Sequence, residues 1–243
     1  MRSILRLRSS APPCSFHRVA GLLGTLVTLM SDSERLDALR RDYRHAELDM
    51  PSCPDHPFDL FRGWIQEARS AEVLEPNAMT LCTVDASGAP AGRVVLLKAV
   101  TPAGFIFYTN YRSGKGQHLE ATPRAALVFW WDVLERQVRI EGDVVQVPPE
   151  VSDAYFASRP RASRIGAWAS PQSEPVADRS DLDRRTDDAE RSFPNDIPRP
   201  PHWGGYEVRP HRMEFWQGRT GRMHDRIEYA RRSDAWVRRR LAP

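Results

Sequence analysis

Beyond residue 78, apolar residues come in short runs punctuated by Gly, Pro, Asp and Asn, the texture of strands joined by tight turns. Met79–Val84, Gly92–Val100 and Phe105–Asn110 are separated by Asp85-Ala-Ser-Gly88 and Thr101-Pro-Ala-Gly104, which predicts an antiparallel meander. A short helix over Lys115–Ala121 precedes a further strand pair, Ala125–Asp132 and Glu135–Val147. Four more strands are expected near the C-terminus: Gly205–Arg209, Arg212–Gln217, Met223–Ala230 and Ala235–Leu241. Elsewhere the spacing is helical. Leu36, Leu39 and Tyr43 form a stripe that predicts a helix over Leu36–Ala46, and Phe58, Phe61, Trp64 and Ile65 form another within Pro57–Ser70. Pro148-Pro149-Glu150 opens a helix that should end near Arg159, where Pro160 interrupts it. Asp178–Arg191 reads as a solvated helix, and Pro194, Pro198, Pro200 and Pro201 stiffen the loop after it. The fold expected is mainly β, of the α+β class: an antiparallel sheet of roughly seven or eight strands curled into a small barrel, with peripheral helices.

With 243 residues the chain suits one substantial domain. Its formal charge of +3 is concentrated at the start, where residues 1–29 hold Arg2, Arg6, Arg8 and Arg18 and no acid. The remainder carries 31 basic against 32 acidic residues, so no nucleic-acid footprint is expected. Residues 1–29 read either as an over-long start, with Met30-Ser-Asp-Ser-Glu the natural beginning, or as a transit peptide. The first reading implies a cytoplasmic protein and the second a mitochondrial one; both place the segment outside the folded domain, 30–243. No apolar run reaches membrane-spanning length. Three cysteines without CxxC spacing argue against a disulfide framework or a metal site.

Several clusters carry chemistry. In Arg222-Met-His-Asp-Arg226, strand alternation would put Arg222, His224 and Arg226 on one face, a site for an anionic planar ligand. It would serve equally as an exposed polar face balanced by Asp225 and Glu228. Arg93 and Lys98 bracket Val94, Val95, Leu96 and Leu97; five residues apart, they fall on opposite faces unless a bulge intervenes, or they serve two ligands. Thr109-Asn110 leads into Ser113-Gly-Lys115 at a helix start, a phosphate site or an ordinary cap. Tyr155 and Arg159 share a helix face with Ser163 just beyond, a second phosphate cradle or a surface ion pair. Neither GxSxG, HExxH nor the dinucleotide-binding GxGxxG occurs.

These segments, with Glu135-Arg-Gln-Val138, Gln172-Ser173, Trp203-Gly-Gly205, Glu214-Phe-Trp-Gln-Gly218 and the terminal Arg240-Leu-Ala-Pro243, resemble the pyridoxamine 5′-phosphate oxidase family from about residue 36 to the end. The resemblance implies an FMN-binding split β-barrel that forms a homodimer, with FMN at the subunit interface and residues 195–243 as the substrate-binding and dimerisation region. It further implies oxidation of pyridoxine 5′-phosphate and pyridoxamine 5′-phosphate to pyridoxal 5′-phosphate, by hydride transfer to flavin N5 and with O2 as acceptor. Neither nucleic acid nor membrane would be a partner. Arg93, Thr109, Lys115 and Ser173 are implied at the FMN phosphate. The stretch Val94–Lys98, with Tyr108, Gln137, Gln172, Trp216 and Arg226, is implied along the rest of the flavin. Lys98, Tyr155, Arg159 and Ser163 would take the substrate phosphate, and Arg222 and His224 its pyridine ring, as the catalytic pair. Arg40 and Tyr43 match a segment that closes over the site. Gly114 stands where the family usually has Arg or Lys, so weaker FMN binding is expected, whereas Met223 for the usual Leu should be silent. Rival readings are a non-catalytic flavin or pyridoxal-phosphate carrier, a split-barrel flavoenzyme with another substrate and, last, a basic RNA-binding barrel.

Overall fold

The computed structural model describes residues 42–243. The expected 1–29 extension, Arg40 and most of the helix expected over 36–46 lie outside the described residues. Where that helix would finish, residues 42–49 are not helical. Side chains distant in sequence take their amide hydrogens instead: Glu135 accepts from Arg44 and His45, and Asp225 accepts from Leu48.

Nine strands form one antiparallel sheet that curls into a half-barrel. They are β1 (Ala78–Val84), β2 (Pro90–Leu96), β3 (Ala99–Val100), β4 (Phe105–Asn110), β5 (Arg124–Trp131), β6 (Arg136–Gln146), β7 (Trp203–Gln217), β8 (Asp225–Arg232) and β9 (Ala235–Arg240). The order is β2-β1-β5-β6-β7-β4-β3, with β8 also on β7 and β9 on β8. Two expectations about strands change. Gly92–Val100 divides into β2 and β3, because Leu97 N donates to Asn77 and Lys98 N to Ile106, so the two residues serve different neighbours. The two strands expected around Pro210 are one strand of 15 residues. Pro210 stands opposite Gly142 at the point where the β6–β7 register shifts, with His211 the extra, unpaired residue of a bulge in β7, and a bulge is a place where a strand tolerates proline.

Helix α1 (Pro57–Ser70) begins with Pro57, after His56 as cap. It buries Phe58, Leu60, Phe61, Trp64 and Ala68 in the curl of the sheet. There Phe61 meets Phe105 and Phe129 edge-on, and Trp64 meets Phe215 in the same way. Four further helices are α2 (Gly114–Ala121), whose Leu119 joins this core, and α3 (Pro149–Ala157), α4 (Arg161–Ala169) and α5 (Arg179–Ser192), which lie outside it. Helix α4 is an addition to the elements expected from sequence. Pro160 does end α3, but it also sits at the N-cap of α4, so the break is a boundary between two helices. A second apolar cluster of Phe156, Ile165, Ala169, Ala189, Ile197 and Trp203 ties α3, α4 and α5 to the start of β7.

Candidate active site

A cleft of about 600 Å³ opens between β2, the end of β4, the start of α2, and helices α3 and α4. Its lining includes Val94, Val95, Leu96, Lys98, Tyr108, Thr109, Lys115, Tyr155, Arg159, Ser163 and Gln172, all expected from sequence. It also includes Trp203, which the sequence placed in the Trp203-Gly-Gly205 segment but not among the site residues. The Trp-Gly-Gly run was the available signal: a Cβ at position 205 would stand 2.8 Å from the Tyr108 ring. Only glycine lets that strand lie flat against the aromatic wall.

Two groups of donors face this cleft. At one end Lys115 Nζ donates to Thr109 Oγ1, Ser113 Oγ and Gln172 Oε1, each at 3.1 Å, and Ser113 caps α2. Burial, and secondarily the nearby Arg93 guanidinium, pushes the Lys115 ammonium down to about 8. Arg93 stands behind it rather than in the lining, donating to Thr83 Oγ1 at 2.6 Å and to the carbonyls of Leu81 and Ala91. Ser173 follows Gln172 in a left-handed conformation, φ 74°. Its Oγ would lie 3.9 Å from a Cβ at Gly114. Leu97 points into the core and does not line the cleft.

At the other end Tyr108 and Tyr155 stack at 3.9 Å, with Trp203 parallel to both. Arg159 lies over Trp203, 4.6 Å from the ring centre. Its Nη1 is buried and has no hydrogen-bond partner. Burial lowers its basicity. A buried guanidinium nitrogen without an acceptor is costly, and a bound anion would satisfy it. Among the described residues no carboxylate pairs with Arg93, Lys98, Lys115 or Arg159, so the cleft presents cations free of internal counter-ions. Tyr155, Arg159 and Ser163 are thus brought together in one cleft, and among the described residues Arg159 is in no surface ion pair.

Arg222 and His224 do not line this cleft, and neither do Gln137, Trp216 or Arg226. Gln137, Trp216 and Arg226 are direct cross-strand partners on β6, β7 and β8, at the far end of β7 from Trp203. The expectation that Arg222, His224 and Arg226 share a strand face is corrected. Thr220–Arg222 is a single 3-10 turn, and Gly221 and Arg222 are both left-handed (φ 62° and 61°). The strand begins only at Asp225, so alternation does not reach Arg222. His224 instead packs on Trp216 at 4.6 Å, with Tyr43 edge-on to both rings. Arg219 N donates to His224 Nδ1 at 3.1 Å, which leaves the neutral ring's proton on Nε2. Burial first, and then Arg222, holds the imidazole below its ordinary pKa. Arg226 donates to Glu214 at 2.8 Å and to the Ala242 carbonyl.

A family profile described as pyridoxamine 5′-phosphate oxidase matches residues 65–190, and one described as the pyridoxine 5′-phosphate oxidase C-terminal dimerisation region matches 203–243. A pyridoxine/pyridoxamine 5′-phosphate oxidase from Synechocystis is 54% identical over 213 residues, covering 87% of this chain and all of that protein. The chain belongs to the pyridoxine/pyridoxamine 5′-phosphate oxidase family. Membership makes it an oxidoreductase on a split barrel. The namesake from Pseudomonas paraeruginosa is 51% identical over 87% of this chain and all of its own length. Among solved structures, PhzG from Burkholderia lata, in complex with tetrahydrophenazine-1-carboxylic acid, superposes with a TM-score of 0.77 at 30% identity. It covers 82% of this chain and all of that one. An FMN-binding relative from Nostoc punctiforme, 18% identical with a TM-score of 0.64, shares the fold.

Proposed function

We propose that this chain, as an FMN-dependent homodimer, oxidises pyridoxine 5′-phosphate and pyridoxamine 5′-phosphate to pyridoxal 5′-phosphate. The alcohol and O2 give the aldehyde and hydrogen peroxide; the amine also consumes water and releases ammonia. The observation that carries this reading is the buried, unpartnered Arg159 Nη1 within the Lys98, Tyr155 and Ser163 cradle. That donor set fits a phosphate monoester, and favours it over an uncharged ring or a simple carboxylate.

The Lys115 end fits a second phosphate, that of FMN, held by Lys115, Thr109 and Ser173 with Arg93 adding field from behind. FMN, when bound, supplies the hydride acceptor and passes the electrons to O2. Val94–Leu96, Tyr108 and Gln172 would hold the rest of the cofactor from one protomer. Gln137, Trp216 and Arg226 would do so from its partner, which also brings Arg222 and His224 to the substrate ring. There the Arg222 guanidinium and the Nε2–H of His224 would bind the ring's anionic oxygen and fix the reacting carbon. The profile match to a dimerisation region over 203–243 supports the dimer on which this division of labour depends.

The test is oxygen uptake by the purified, yellow protein. Pyridoxine 5′-phosphate should bleach the flavin when air is excluded, and unphosphorylated pyridoxine at the same concentration should not. Equal rates with and without the phosphate would overturn the reading. Turnover of a tetrahydrophenazine carboxylate alone would transfer the chain to the chemistry of its other relative.

A further inference from the structure

We propose that Glu135 is a positioning residue for the substrate-side histidine, acting through residues 43–45. This inference rests on the role given above to His224, and it concerns a residue that contacts neither the cleft nor the ring.

Glu135 precedes β6 in a left-handed conformation, φ 53°. A residue with a Cβ is strained in that conformation, so another interaction must outweigh the strain. The side chain is buried and its Oε2 accepts from two successive amides, Arg44 N at 2.7 Å and His45 N at 2.9 Å. Its own carbonyl accepts from Gly218 N at 2.8 Å and Gln217 Nε2 at 3.3 Å. One residue therefore joins the 43–45 backbone to the end of β7, next to the turn that carries His224. The ring brought in by this junction is Tyr43, 5.7 Å from Trp216 and 5.8 Å from His224, edge-on to each. A second, independent feature points the same way. A Cβ at Gly218 would stand 2.7 Å from Tyr43 Cγ and 2.8 Å from its Cβ, so the ring seats only over a glycine. Farther along, Leu48 N and Arg219 both bond Asp225, and Arg219 also pairs with Glu47. Loss of Glu135 would thus release residues 43–45 without freeing the whole segment.

Two variants approach the same contact from opposite sides: Glu135→Ala removes the acceptor, and Gly218→Ala obstructs the ring. Both should speed amide hydrogen exchange across 43–46 by roughly tenfold or more. Both should lower kcat by on the order of ten- to a hundredfold, with the FMN dissociation constant unchanged. Glu135→Gln keeps an oxygen that accepts from both amides and should restore exchange and turnover. Tyr43→Ala should reproduce the kinetic loss, and adding it to Glu135→Ala should cost nothing further, since both changes act on one contact. Exchange at wild-type rates in Glu135→Ala would overturn the proposal. So would a Glu135→Gln variant as impaired as the alanine, or full additivity with Tyr43→Ala. If the wild-type protein does not oxidise the phosphorylated vitamers, the functional reading fails by itself. The exchange data still decide whether Glu135 seats Tyr43.

Discussion

Lys115 combines a half-buried ammonium with no carboxylate partner among the described residues, and this makes anion binding at the cleft depend on pH. Its ordinary value of 10.5 is lowered to about 8, so in the free site the charge is lost as pH rises through 8. A bound phosphate restores the proton, and binding between about pH 8 and 10.5 must take up protons. Affinity for FMN, titrated by its fluorescence, should fall as pH rises through 8, and Lys115→Arg should flatten the curve. The same burial destabilises the ligand-free fold below pH 8, a penalty that fades toward 10.5 as the unfolded chain also loses its proton. Gly114 tests the charge balance of this site from the other side. Its Cβ position is open, with the Ser173 hydroxyl 3.9 Å away, and its φ is not left-handed, so glycine meets no steric demand there. Gly114→Arg should tighten FMN by about 1.5–3 kcal/mol, the worth of one charge-assisted contact. An unchanged dissociation constant would show that the missing cation is compensated elsewhere. Lys115 and Arg159 were legible in the sequence because each follows a local rule, a helix start or a four-residue helical spacing, whereas Lys98, at the end of a strand run, was given a role only by the family resemblance. Arg222 and His224 were legible as residues but not as geometry. The two left-handed residues at Gly221 and Arg222 break alternation, and a lone glycine is too weak a sign to announce that.

At the level of elements, hairpins were read well because their turns are local, as in Asp85–Gly88, where Asp85 accepts from Ser87 and Ala89. The elements misread are those fixed by distant partners. Pro210 suggested a strand end, but β7 continues through a bulge beside it, and the stripe through Tyr43 suggested helix where Glu135 and Asp225 hold non-helical chain. The joint between α1 and the sheet shows how such distant partners carry stability. Arg136, 7% exposed, donates to Gln217 at 2.8 Å and to Glu67 at 2.5 Å, with its guanidinium 4.4 Å from the centre of Trp64. Removing one member of a fully buried pair costs about 3–5 kcal/mol, but Glu67 is half exposed and water can replace its partner. Arg136→Ala should therefore lower unfolding free energy by about 2 kcal/mol, read from urea denaturation, and leave the cleft's anion affinity unchanged. A loss below about 0.5 kcal/mol would place this pair with ordinary surface bridges.

For the whole molecule, the decisive relation is that β7 carries Trp203 at its cleft end and Trp216 thirteen residues later, about 40 Å along the strand. If the site is completed across a two-fold axis, defects in different halves should complement. Arg159→Ala and Arg222→Ala homodimers should each be nearly inactive. Equal amounts, unfolded and refolded together, should recover about a quarter of wild-type turnover, because half the dimers are mixed and each mixed dimer has one intact site. No recovery would mean that both residues serve the same protomer's site.

That spacing along β7 also has a consequence for handling the protein in dilute solution. If the site is shared as proposed, a protomer separated from its twin should keep its barrel and its circular dichroism, yet hold only the two unmatched ends of a reaction centre. Specific activity should then fall with concentration well before any unfolding signal moves, and the midpoint of that fall measures how tightly the twins associate.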